Sequence, residues 1–135
     1  MRTRVVLSML VGVLSFGVLA GAAHASVPGW ARTEGRTRLD VSGCAIEAAS
    51  AIQSVTGKTP TKVQFDSYTW EIRSSTSNVG IFAYCTASPV FACPNRPAAN
   101  LIVLTFSSQG STDAAAKRDA VTTAFGDPRL IDCNF

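Results

Sequence analysis

Cysteine placement constrains this chain more than any other feature. Cys44, Cys85, Cys93 and Cys133 form an even set, and the two closest have seven residues between them. Tetrahedral zinc sites are normally started by a C-x2-C or C-x4-C pair, and neither is present. The set therefore reads as two disulfides, for which three pairings exist. Local position favours Cys85–Cys93 with Cys44–Cys133. The first would hold a proline-rich loop to the strand before it and contribute about 2.5 kcal/mol through loop entropy. The second would tie the first helical turn to a C-terminal strand and contribute about 4.5 kcal/mol.

Disulfides need an oxidising compartment, and the N-terminus supplies a route to one. Arg2 and Arg4 precede an apolar run from Val5 to Leu19, and Ala23-His24-Ala25 gives a small-x-small cleavage site. Residues 1–25 are expected to be a signal peptide, leaving a single domain over 26–135. The expected location is secreted or periplasmic. The apolar run is short for a membrane span and no second one follows, so no membrane association is expected after cleavage.

Processing changes the chemistry available. His24 is the only histidine and leaves with the signal. The commonest general base and metal ligand is then absent, and a cysteine–histidine dyad cannot form. Removing Arg2 and Arg4 leaves ten basic residues against nine acidic. That balance gives no positive field of the kind a nucleic-acid binder needs. No cofactor is implied.

Residues 26–36 are polar and read as a flexible N-terminal tail leading to a short strand around Thr37–Val41. Ser42–Val55 has helical spacing, with Ala45, Ala48, Ala49, Ile52 and Val55 near one face and Ser42 as a cap. Thr56-Gly57-Lys58 ends it, and Pro60 stops its resumption. Val63–Arg73 reads as a strand whose parity slips near Asp66-Ser67, which calls for a bulge or tight bend. Val79–Thr86 should pair with Tyr68–Arg73 as a hairpin. Ala87–Asn100, with Pro89, Pro94 and Pro97, is a loop. Leu101–Phe106 is the best candidate for a central strand covered at least partly on both faces. A second helix runs from a Ser111 or Thr112 cap to Phe125, and Leu130–Cys133 forms a short closing strand.

The resulting order is β-α-β-β-β-α-β. It predicts a disulfide-stapled α+β domain with an antiparallel or mixed sheet of about four to five strands, and two helices on one face. A ferredoxin-like order with an additional strand is an alternative arrangement.

Functional signals are sparse. Trp70 and Glu71 could pair an aromatic platform with an acid, but adjacent strand residues point to opposite faces. The simpler expectation is Trp70 in the core and Glu71 in water. A glycan hydrolase would need two of Glu47, Asp66, Glu71, Asp113 and Asp132 across a cleft. The turn Ser107-Ser108-Gln109-Gly110-Ser111-Thr112 could hold an anion, although it lacks the Walker A pattern and reads more simply as a turn and cap. Arg32, Arg36 and Arg38, diluted by Glu34, could meet an acidic partner. Trp30, Tyr68, Trp70, Phe82, Tyr84 and Arg96 are the candidate partner-binding residues, the last within the proline-rich loop. No catalytic set is recognisable, so the reading leans away from an enzyme. It favours an exported binding module for a protein in the periplasm or outside the cell, such as an inhibitor or protective partner of an enzyme. A small glycan hydrolase and a structural envelope protein are the alternatives.

Overall fold

The computed structural model describes residues 27–88 and 98–126. Its elements are β1 (Gly29–Thr37), α1 (Val41–Thr56), β2 (Thr61–Asp66), β3 (Thr69–Ser75), β4 (Val79–Ala87), β5 (Ala99–Ser107) and α2 (Ser111–Phe125). The strands form one sheet in the order β1-β5-β4-β3-β2, and every pairing is antiparallel. The chain is thus α+β, with neither a mixed sheet nor a ferredoxin-like order among the described residues.

Successive hairpins lay down β2 to β5 as a meander. β1 closes the far side of β5, so the chain must travel from one sheet edge to the other between β1 and β2. Helix α1 makes that crossing. Its sixteen residues span about 24 Å, enough to cross four strand spacings of about 4.8 Å each. Ala45, Ala48 and Ala51 are buried along it beside Cys44 and Ile52. Small side chains let this helix lie close to the sheet.

The core is a single cluster. Ile72 from β3, Ile81, Ala83 and Cys85 from β4, and Ala99, Leu101 and Val103 from β5 meet α1 and Val121 of α2. Both helices therefore cover the same sheet face. Thr105 reaches from that face to the second helix, its hydroxyl donating to the Ala114 carbonyl at 2.6 Å.

Several expectations are corrected by long-range pairing. The polar stretch read as a flexible tail over 26–36 supplies most of a nine-residue edge strand, with Gly29 to Thr37 in register against Ser107 to Ala99. The run 63–73 is two strands, because Ser67-Tyr68 turns the chain back; a register shift also falls between Gln64 and Asp66. The parity slip marked both features. Asp40, not Ser42, caps α1, its carboxylate accepting from the Gly43 amide at 2.6 Å. Gly57 ends that helix in the left-handed conformation, φ 68°, where a Cβ would be strained. Gly110 precedes α2 without a side-chain cap from Ser111 or Thr112. The expected strand at Leu130–Cys133 lies outside the described residues.

The disulfide joins Cys44 to Cys85, with both residues fully buried. This replaces the expected Cys85–Cys93 and Cys44–Cys133 pairings. Cys44 begins the buried face of α1, and Cys85 points from β4 toward the same helix. Cys93 and Cys133 lie outside the described residues.

Gly29 has a steric role. A Cβ built there would fall 2.0 Å from the Ser111 amide nitrogen and 2.4 Å from the Gly110 carbonyl carbon. The first residue of β1 thus lies directly against the backbone that starts α2. Gly29→Ala is expected to destabilise the fold by about 2–3 kcal/mol. Urea unfolding beside the wild type measures it; a loss under about 0.5 kcal/mol would contradict the close approach.

Candidate functional site: the open sheet face

With both helices on one side, alternate strand residues point to the other. Cross-strand register sorts them into rows. Trp30, Phe106, Gly80 and Ser75 form the first row. Arg32, Leu104, Phe82, Arg73 and Thr61 form the second. Glu34, Ile102, Tyr84, Glu71 and Val63 form the third, and Arg36, Asn100, Thr86 and Thr69 lie in the fourth. The middle rows are alike in layout: two apolar or aromatic residues at the centre, with a charge on β1 and another of the same sign on β3.

None of the described helices covers this face. Trp30 is 63% exposed and Phe106 47% exposed, while Leu104, Ile102, Phe82 and Tyr84 are half-buried. The Phe82 and Phe106 rings meet edge to face with centroids 5.9 Å apart. That packing accounts for part of their burial and pre-arranges an aromatic surface. Hollows lie at both ends of the face. One, of about 390 Å³, is lined by Glu34, Arg36, Thr86, Asn100 and Ile102. The other, of about 370 Å³, includes Trp30, Gly80 and Phe106.

Four of the charges on the face are paired. Arg32 donates to Glu34 two residues along β1. Arg73 approaches Glu71 at 3.4 Å. Glu71 is only 7% exposed, so the expectation that it stands in water is corrected. It lies directly across from Tyr84 on β4. Burial raises the Tyr84 pKa first, the Glu71 carboxylate raises it further, and Arg73 partly opposes them.

This shift has a sign. The folded chain resists ionising Tyr84 more than the unfolded chain does, so its contribution to stability is complete below the unfolded value of about 10 and is lost as pH rises through the folded value. Spectrophotometric titration should show a late-ionising tyrosine that Tyr84→Phe removes, and that variant should lose less stability at alkaline pH. Unchanged titration on substitution would contradict the Tyr84–Glu71 contact.

The sequence candidates separate on this geometry. Trp30, Phe82 and Tyr84 share the open face. Trp70 points to the helix side and packs, partly buried, against the core, opposite to Glu71 as strand parity required. Tyr68 is 67% exposed in the turn between β2 and β3. Arg96 lies outside the described residues. Among the carboxylates, Glu71 lies on the open face, whereas Glu47 and Asp113 belong to the helices on the other side. Asp66 accepts from the Tyr68 amide at 2.7 Å, and Asp132 lies outside the described residues. The Ser107–Thr112 turn is held internally: Ser107 donates to the Asp113 carboxylate at 2.6 Å and accepts from the Gln109 amide at 3.0 Å. No group of three or more potential metal-ligating side chains occurs among the described residues.

The sequence alone does not mark Leu104, Ile102 and Phe106 as surface candidates, because Leu101–Phe106 reads as a strand covered at least partly on both faces. The strand is central, between β1 and β4, but helices cover only one of its faces among the described residues. Exposed Phe106 ends the alternation buried–half-buried that runs from Leu101, and only the assembled sheet gives that alternation a direction. Compared with known proteins, the chain matches no family model, and no curated protein is similar enough to count as a relative.

Proposed function

We propose that this chain is an exported, non-catalytic binding module whose open sheet face receives a protein. The observation that carries this reading is the stripe of Trp30, Phe106, Leu104, Phe82, Ile102 and Tyr84, which no described element covers, on the sheet face opposite the two helices. Aromatic residues with central apolar packing and charged flanks are the composition of protein-binding surfaces. Export is supported by the Arg2/Arg4, apolar-run and Ala-His-Ala sequence at the N-terminus. The Cys44–Cys85 bond fits an oxidising compartment, and no described helix is long and apolar enough to cross a membrane. An inhibitor or protective partner of an envelope or extracellular enzyme is one form such a module takes.

A photoreactive residue at Phe106 tests the surface, with the same residue at Ile46 as control. Ile46 is 57% exposed on α1, away from the open face. The expected result, in the exporting cells, is a discrete protein adduct from position 106 and none from position 46. Absence of an adduct at 106, or equal labelling at both, would sink the reading.

A further inference from the structure

We infer that the protein seated on the open face is a second copy of this chain, packed sheet to sheet about a twofold axis that runs across the strands. The inference rests on the reading of this face as a protein-binding surface and adds the identity of its occupant.

The argument is one of self-complementarity. A twofold interface brings the same patch against itself, so each residue must suit its symmetry mate. Consider an axis lying parallel to the sheet, perpendicular to the strands, and midway between the two central rows. Rotation keeps each strand over its own copy and exchanges the Arg32–Leu104–Phe82–Arg73 row with the Glu34–Ile102–Tyr84–Glu71 row. Arg32 then faces Glu34 of the second copy, and Arg73 faces Glu71. Leu104 meets Ile102, and Phe82 meets Tyr84. Both charged flanks become alternating four-charge arrays around an apolar centre. An axis along the strands would instead place Arg32 over Arg73 and Glu34 over Glu71, so the charge pattern selects the first orientation.

The outer rows fit the same axis. Trp30 lies one row beyond Arg32, and the hollow lined by Arg36, Thr86, Asn100 and Ile102 lies at the corresponding distance beyond Glu34. The rotation carries each exposed indole over the other copy's hollow and its Arg36. A protruding tryptophan received by a pocket, with a guanidinium against the ring, is a strong interface anchor. Aligned sheets cross at about 30° through their twist, and the long arginine and glutamate side chains at the flanks can follow that offset.

The area is adequate. Five strands about 4.8 Å apart and four rows of side chains cover roughly 600 Å² on each copy, about 1,200 Å² in all, at the lower bound for a specific interface. Glu71 is already withdrawn from water within one chain, so little further desolvation opposes its burial between two.

Charge reversal tests the arrangement. The oxidised chain recovered from an exporting host is measured by sedimentation equilibrium and light scattering over a wide concentration range, with circular dichroism to establish folding. The wild type is expected at the mass of two chains. Arg32→Glu makes one flank wholly acidic and Glu34→Arg makes it wholly basic, so each is expected to weaken self-association more than about a hundred-fold. Mixing these two variants should restore a dimer, and the double reversal R32E/E34R should restore it within one chain. Both sites are exposed, and Trp30→Ala gives a third, uncharged probe that should also release single chains. A wild type at single-chain mass throughout would overturn the inference, as would a dimer indifferent to these substitutions or a mixture that fails to re-associate. If the Phe106 adduct contains a different protein while the wild type is a single chain, the open face remains a binding surface and only the second copy is excluded.

Discussion

Replacing Cys44 and Cys85 together by alanine is expected to lower the stability of the oxidised protein by about 4 kcal/mol. The bond closes a loop of 41 positions, and releasing a loop that long returns much conformational freedom to the unfolded chain. Both residues are fully buried between α1 and β4, so loss of packing adds to the effect. A domain of this size is held by only about 5–15 kcal/mol; the variant should therefore sit near the limit of folding at physiological temperature. The paired substitution is a cleaner probe than reductant, which would also act on any bond made by Cys93 or Cys133. Urea unfolding measures the difference, and disulfide-linked peptide mapping should recover the Cys44 peptide joined to the Cys85 peptide. A loss below about 1 kcal/mol would show that this crosslink does not govern stability.

The second large effect concerns which sheet face is the core. Ile72→Ala should cost about 3–4 kcal/mol, because Ile72 is fully buried beneath α1 and truncation leaves a cavity that close packing cannot refill. Phe82, beside it on the next strand but on the opposite face, should cost under about 1.5 kcal/mol of single-chain stability when changed to alanine. Denaturant unfolding of the two variants at concentrations that favour the single chain provides the comparison. Equal losses would mean that the open face contributes to the intramolecular core as fully as the covered one. If Phe82→Ala is mild for folding but abolishes self-association, the two faces have separate tasks. One holds the chain together and the other holds its partner.

The proposed dimer links these effects to function. Its central rows and outer anchors are supplied by β1, β5, β4 and β3, so any change that detaches β1 removes Arg32, Glu34, Arg36 and Trp30 at once. Gly29→Ala acts at the point where β1 meets α2 and should weaken association together with stability. Arg32→Glu should affect association without comparable loss of stability, which separates a folding defect from an interface defect.

The local elements were largely legible in the amino-acid order. Alanine and isoleucine spacing marked α1, and Gly57 and Pro60 marked its end. These signals are short-range: helix faces, left-handed caps and missing amide donors are set within a few residues. Strand alternation is equally local: within Val79–Thr86 it sets Ile81 and Ala83 on one side and Phe82 and Tyr84 on the other. The parity slip between Phe65 and Tyr68 showed that one extended strand could not continue, although it did not distinguish a bulge from the turn that makes two strands.

Residues 29–37 were harder to read because their polar alternation resembles a solvated tail, and the strand they form is stabilised by β5, as the 74-position separation of Ala31 and Thr105 shows. The cysteine pairing depended in the same way on α1 crossing over β4. By itself, the sequence determined an α+β chain with two helices, alternating strands and paired cysteines. Tertiary structure decided that Cys44 meets Cys85, that β1 lies beside β5, and that Trp30 joins Phe82 and Tyr84 on the face opposite the described helices. Those outcomes depend on contacts between distant segments, whose energies appear only when the strands are assembled in register.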